Sequence, residues 1–322
     1  MSYVIPAPLD RSAPVLIAGR GGLVGSALWS YFLDEGFTNL LGPRSGELDL
    51  RDRAATHEWF RTHRPRYVVD AAAKVGGIVA NATYPYDFIS DNLRIQVNLM
   101  DAALRAGVER FLFLGSACIY PKLTAQPITE SALMTGYLEE SNEAYAVAKI
   151  AGVFQIEAAR HQHGVAWISA MPTNLYGPGD NFSRQNSHVF PALIRRYVEA
   201  ADAGVESVTN WGTGTPTREF LHSRDMAAGA LFLLENYDGD EPVNIGVGED
   251  LPLSDLAQRI AAAAGFTGRT EWDASRPDGT PRRLMDVSRI RELGWRPTIS
   301  LDEGIAEVVA WFRANHESIR EH

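Results

Sequence analysis

An apolar run, Val15-Leu16-Ile17-Ala18, breaks into Gly19-Arg20-Gly21-Gly22-Leu23-Val24-Gly25 and continues as a helical stretch over residues 26–35, stopped by Gly36. Few folds accept that order so near the start of a chain. In the G-x-x-G-x-x-G spacing, Gly19 allows a tight turn, Gly22 lets backbone approach a pyrophosphate, and Gly25 permits close helix packing. The N–H groups around Leu23 and Val24 then face phosphate oxygens. A glycine triplet by itself is equally an ordinary turn. Seated between a strand and a helix, it predicts a dinucleotide site.

The pattern that follows repeats this alternation. Residues 39–41, 67–72, 111–114 and 166–170 read as strands; residues 91–106 and 145–160 read as helices. Alternating strands and helices predict an α/β fold with a doubly wound parallel sheet, the Rossmann arrangement. Ligands of such sheets lie outside the carboxyl ends of the strands. The glycine loop, Lys74, the Ser116–Cys118 pair and Thr173-Asn174 each follow a strand and should gather at that edge. Beyond Pro172 the pattern is less regular. Strands are expected at 208–211 and 218–221, and helices at 188–198, 225–236, 254–264 and 302–315. The expected division is a loose arm over 1–14, with Pro6, Pro8 and Pro14, a dinucleotide-binding domain over 15–172, and a smaller substrate-binding α/β region over 173–322. Some pieces of the last are expected to return to the sheet.

Composition narrows the function. With 322 residues, 45% of them hydrophobic, the chain has ample material for a core. A net charge of −10 argues against nucleic acid or an anionic membrane as a general partner. No run reaches the roughly 18 apolar residues of a membrane span. A single cysteine excludes an internal disulfide, so a cytoplasmic location is expected. His161 and His163 stand two apart and share no helical face. No cluster has the spacing of a zinc site, and no metal is expected.

Lysine is scarce, occurring at Lys74, Lys122 and Lys149. Lys149 follows Tyr145 by four residues, one helical turn. A free tyrosine, with a pKa of ~10, needs help to exchange protons near neutrality, and an adjacent ammonium favours its phenolate. Ser116 can donate to a carbonyl oxygen as negative charge develops on it. Cys118, two residues on, adds a second acid–base group. The set reads as an enzyme that handles a ketone and also moves a carbon-bound proton.

These residues resemble the extended short-chain dehydrogenases/reductases and, more closely, the GDP-L-fucose synthase family. The similar segments include Ala71-Ala72-Ala73-Lys74-Val75-Gly76-Gly77-Ile78, Gly115-Ser116-Ala117-Cys118-Ile119-Tyr120-Pro121-Lys122, Pro172-Thr173-Asn174-Leu175-Tyr176-Gly177-Pro178 and Asn186-Ser187-His188. Trp211-Gly212-Thr213-Gly214-Thr215-Pro216 and Pro277-Asp278-Gly279-Thr280-Pro281-Arg282 complete them. The resemblance implies 3,5-epimerisation and 4-keto reduction of GDP-4-keto-6-deoxy-D-mannose to GDP-L-fucose. It implies Cys118 as base, His188 as acid and Tyr145 as proton donor to the reduced oxygen, with Ser116 and Lys149 assisting. It further implies a homodimer.

The cofactor expected is NADP, with NAD also possible. Leu41-Gly42-Pro43-Arg44, after the second strand, has no acid to hold a ribose diol, and Arg44 is placed for a 2′-phosphate. Asp49 is expected near the adenine, and Lys74, Lys149, Pro172, Asn174 and Leu175 along the rest of the cofactor. For the GDP-sugar, Arg196, Arg218, Arg282 and Arg283 are candidates because guanidinium pairs well with phosphate. Trp211 is expected against the guanine, with Asp278, Asn174 and His188 in the same site. Among the departures from the family, two bear on the cofactor. Its first loop typically reads Gly-His-Arg-Gly where this chain has Gly19-Arg20-Gly21-Gly22, and an additional arginine is usual where Gly42-Pro43 stands. Two rival enzymes fit much of the pattern: a GDP-deoxysugar epimerase/reductase with another sugar, and an NAD-retaining nucleotide-sugar 4-epimerase. The second needs neither Cys118 nor His188.

Overall fold

Strands buried on both faces need no polar alternation, and the apolar runs of the first half have none. The computed structural model describes residues 8–184, 187–276 and 278–316. Its first half runs β1 (Val15–Ala18), α1 (Leu23–Asp34), β2 (Leu40–Leu41), α2 (Arg53–His63), β3 (Tyr67–Asp70), α3 (Ile78–Thr83), α4 (Pro85–Ala106), β4 (Arg110–Leu114), α5 (Glu143–His163) and β5 (Ala166–Pro172). The second half runs β6 (Asn174–Tyr176), α6 (Val189–Ala203), β7 (Ser207–Trp211), β8 (Thr217–Arg218), β9 (Phe220–His222), α7 (Ser223–Asn236), β10 (Val243–Ile245), β11 (Leu251–Pro252), α8 (Leu253–Ala264), β12 (Arg269–Asp273), β13 (Arg282–Arg283), α9 (Ser288–Glu292) and α10 (Leu301–Asn315).

Six parallel strands form the main sheet in the order β10-β5-β4-β3-β1-β2. β1, β3 and β4 are buried at every residue. The chain returns to this sheet late: β10 pairs with β5, Val243 opposite Ala170. Met226, Leu233, Ile290 and Trp295 fill the same core. A second core lies among α6, α8 and α10, around Phe182, Phe190, Tyr197, Ile260 and Phe312.

Three expectations need correction. Residues 1–7 of the arm lie outside the described residues, but residues 8–14 are not loose. Leu9 and Ala13 are buried in the sheet core, the Asp10 N–H donates to Tyr67 Oη at 3.2 Å, and Arg11 pairs with Glu235 of α7. The strand expected at 218–221 is two strands. Glu219 interrupts it because its buried carboxylate turns inward to accept the N–H groups of Gly248 (2.6 Å) and Met285 (3.0 Å). α2, which the apolar pattern does not announce, starts where Asp52 accepts the N–H of Ala55, an ordinary N-cap.

Candidate active site

The carboxyl ends of β1, β3, β4 and β5 do bring the sequence candidates to one edge. At β1, Gly19 has φ +79°, and a Cβ there would fall 2.6 Å from the Ala71 carbonyl oxygen. A Cβ on Gly25 would fall 2.0 Å from the Gly19 oxygen. Those two glycines let α1 close onto the turn. Gly22 differs: it is the N-cap of α1, no side chain caps the helix there, and its first turn carries no acid. The end keeps its partial positive charge open to an anion, which fits a pyrophosphate.

Arg20 and Gly42 explain each other. The Arg20 guanidinium lies 3.7 Å from the centroid of the Trp29 ring. A Cβ on Gly42 would sit 2.7 Å from Arg20 Cδ and 2.8 Å from the Trp29 ring. The bare backbone after β2 therefore makes room for an arginine stacked on tryptophan. Arg44 is exposed nearby, and its backbone N–H donates to Glu47 at 2.7 Å.

β4 ends in the proton-transfer group. Ser116 has extended backbone, and its Oγ accepts the Cys118 N–H at 3.2 Å, capping one short helical turn, Ala117–Ile119. The Asn142 amide donates to Cys118 Sγ at 3.3 Å. The Tyr145 hydroxyl lies beside Ser116. Burial first, and the Cys118 sulfur second, push this phenol well above the ordinary tyrosine range, against Ser116, which favours its ionised form. Lys149 is buried one turn on; its Nζ donates to the Leu114 carbonyl at 2.9 Å and lies 4.7 Å from the Phe113 ring centroid. Burial lowers the Lys149 pKa, and the charge of Asp70 opposes that. The expected effect of Lys149, a phenolate at Tyr145, is therefore corrected. α5 lies so close on β4 that a Cβ at Gly152 would come within 2.3 Å of the Phe113 ring. The lysine is drawn down onto the strand, and Tyr145 keeps its proton.

His188 is the N-cap of α6; the residue is exposed overall, while desolvation of its imidazole lowers the pKa. Among the described residues no hydrogen bond joins it to Cys118 or Tyr145. Asn186, from the same motif, lies outside the described residues, as does Pro277.

Several charged candidates are already engaged. Lys74 Nζ reaches Asp87 (3.1 Å) and Asp91 (3.2 Å) of α4. Both oxygens of Asp49 receive the Arg51 guanidinium at 2.9 Å. Arg282 makes a bidentate pair with Asp250, at 2.7 and 3.0 Å. Arg283 is buried and donates to the Ala117 carbonyl at 2.9 Å, bracing the cysteine turn. Lys74, Asp49, Arg282 and Arg283 each have a carboxylate, guanidinium or carbonyl partner within the fold. Arg196 donates to Asn210 (2.5 Å) and Arg218 to the Thr217 carbonyl (2.7 Å); both are only half-buried, and burial lowers the pKa of each. Trp211 is 64% exposed, with the Arg276 guanidinium 5.2 Å from its ring centroid. Asp278 accepts the Thr213 N–H (2.9 Å) and hydroxyl (2.7 Å). Pro172 closes β5 opposite Ile245, Asn174 donates to the Glu219 carbonyl at 2.9 Å, and Leu175 pairs with Leu221. Among the described residues no group of three or more His, Cys, Asp or Glu is placed to hold a metal.

Sequence reading missed Arg20, Asn142 and Asp70. Asn142 left a signal: it stands three residues before Tyr145, at the N-cap of α5, where asparagine ordinarily bonds the helix. Here its side chain makes no cap bond and goes to sulfur instead.

Comparison with known proteins places this geometry. The chain is 52% identical to GDP-L-fucose synthase 1 of Arabidopsis thaliana over 306 residues, covering 95% of each protein. It is 48% identical to GDP-L-fucose synthase of Escherichia coli (strain K12) over 315 residues, 95% of this chain and 98% of that one. Among solved structures, a GDP-L-fucose synthetase from Naegleria fowleri bound to NADP superposes with a TM-score of 0.91 at 31% identity, covering 98% of this chain and 97% of the other. The model of the NAD dependent epimerase/dehydratase family matches residues 15–246, and this chain belongs to that family.

Proposed function

We propose that this chain makes GDP-L-fucose from GDP-4-keto-6-deoxymannose, inverting C3 and C5 and reducing the C4 ketone with NADPH. The observation that carries the reading is the shared wall of Ser116, Cys118 and Tyr145. It sets a carbon-acid base beside a phenol that still holds its proton.

The 4-keto group acidifies the protons on C3 and C5. Cys118 removes each one as thiolate, and the Asn142 amide stabilises the sulfur charge. His188 returns the proton on the opposite face. Its lowered pKa makes the imidazolium a stronger acid, so this step weakens as pH rises through a value below the usual ~6.5. NADPH, when bound, supplies a hydride to C4. The N-terminus of α1 holds its pyrophosphate, Arg20 and Arg44 its 2′-phosphate, and Lys149 its nicotinamide ribose. Ser116 donates to the C4 oxygen, and Tyr145 gives that oxygen its proton. Arg196 and Arg218 hold the nucleotide phosphates, and Trp211 covers the base.

The molecule works as a homodimer in the cytoplasm. Val97 of α4 and Val147 and Phe154 of α5 support the first part, standing 37, 40 and 46% exposed on helices that pack together. Among the described residues no helix is long and apolar enough to cross a membrane.

The test is incubation with GDP-4-keto-6-deoxymannose and NADPH in deuterated water. Cofactor oxidation should yield GDP-L-fucose with deuterium at C3 and C5. Cys118→Ala should lose the exchange. Tyr145→Phe should keep it while hydride transfer falls by about 10²–10⁴. Normal exchange in Cys118→Ala removes the cysteine from the mechanism.

A further inference from the structure

Asp70, the last residue of β3, is fully buried. One of its oxygens accepts the Ala72 N–H at 3.1 Å, shaping the turn that leads to Lys74. The other, Oδ2, is buried without a hydrogen-bond partner. An unpartnered carboxylate oxygen in a core is costly, and the turn does not require it, because one oxygen already serves the Ala72 N–H. Something else must accompany this charge.

The sheet register identifies it. Asp70 stands opposite Phe113 of β4, and partners in register project from the same face of a sheet. The Phe113 ring meets Gly152 of α5 and lies under the Lys149 ammonium. Asp70 therefore shares the α5-covered face with Lys149. Of the three donors on that ammonium, the Leu114 carbonyl takes one, leaving two. Lys74, which follows the same turn, already pairs with Asp87 and Asp91, and Asp91 also with Arg51. Among the described residues, Lys149 is the charge that acts on Asp70, and Asp70 is the charge that acts on Lys149.

We propose that Asp70 is the buried counter-ion of Lys149, a positioning residue that keeps the lysine charged and seated on the Leu114 carbonyl. The catalytic meaning rests on the reading of Lys149 given above; the electrostatic pairing does not. Burial alone would drive both groups towards neutrality, the carboxyl up and the ammonium down. Asp70 is pushed up to about 6, so it is mostly ionised at neutral pH and can hold its partner positive there. Tyr145 and Ser116 then work one helical turn from a fixed cation that donates to the Leu114 carbonyl.

The scarcity of lysine makes the test direct. Protein labelled with ¹³C-lysine gives three Cε signals, from Lys74, Lys122 and Lys149. Lys149→Met identifies the third. In Asp70→Asn the amide oxygen still accepts from Ala72, but the negative charge is gone. The Lys149 midpoint should fall by about one pH unit or more, while those of Lys74 and Lys122 stay in place. The alkaline limb of hydride transfer should move to lower pH by the same interval. An unchanged Lys149 midpoint overturns the proposal. Should Asp70→Asn fail to fold, the unsubstituted protein still decides. Its Lys149 signal must carry a second inflection as Asp70 titrates near pH 6, and a flat trace there also overturns the pairing. Absence of GDP-L-fucose synthesis would leave this titration untouched, so the two readings fail separately.

Discussion

The main sheet and the region that follows it are held by different forces. In β1, β3 and β4 every residue is buried, and the close contacts are steric: glycine against carbonyl, ring against glycine. β10 apart, the strands from β7 to β13 lie in sheets of two or three strands, and β7 alternates between buried and exposed residues. There the connections are polar and come from far along the chain. Glu219 accepts from Gly248 and Met285, Asp250 from Thr217 and Arg282, and Asp278 from Thr213. A buried parallel sheet tolerates little change of volume. A small sheet cross-linked by carboxylates tolerates little change of charge.

Four substitutions would break or sharpen that contrast. The largest effect is expected at Gly25→Val, whose Cβ meets backbone that cannot rotate away. It should lose about 3 kcal/mol in urea unfolding, the upper part of the overpacking range. A loss near zero would mean the turn relaxes and the sheet half is softer than described. Glu219→Gln comes next, because its NH₂ group would oppose one of the two N–H donors that the carboxylate oxygens now accept separately. About 1–3 kcal/mol should be lost, measured the same way. Full stability in that variant would reduce the polar cross-links to decoration. Arg20→Ala should raise KM for NADPH about tenfold, the scale of one charge-assisted contact, and leave KM for NADH alone. Equal effects on both cofactors would assign Arg20 to the fold and not to the 2′-phosphate. The smallest effect is expected at Arg282→Ala. Its pair with Asp250 is exposed on the arginine side, so it should contribute less than about 1 kcal/mol, with KM for the GDP-sugar unchanged. A tenfold rise in that KM would return Arg282 to the phosphate site.

The same contrast governs what could be read before folding. The strand at residues 15–18 and the helix end at Gly107 follow from an apolar run and from a glycine just past the helix, which is left-handed in the structure. Those are properties of neighbours in sequence. The turn at Ser116–Cys118 and the Tyr145–Lys149 spacing were legible for the same reason. α4 began six residues earlier than expected because Pro85 is accommodated at its first turn, where proline costs no hydrogen bond. The free or engaged state of each arginine was not legible. Asp250 lies 32 residues from Arg282, and Ala117 lies 166 from Arg283. Nothing local separates a guanidinium held by the fold from one left open to phosphate.

Sequence alone therefore determined the first five strands of the main sheet and which side chains stand at their ends, since periodicity and glycine placement act over a few residues. Tertiary structure alone decided the direction of each charge. The Lys149 ammonium donates to the Leu114 carbonyl, Arg20 rests on Trp29 in the space left by Gly42, and Asn142 leaves its helix for sulfur. The physical reason is reach. A charge is satisfied by whatever partner lies within a few ångströms, and only the packing of distant segments places that partner there.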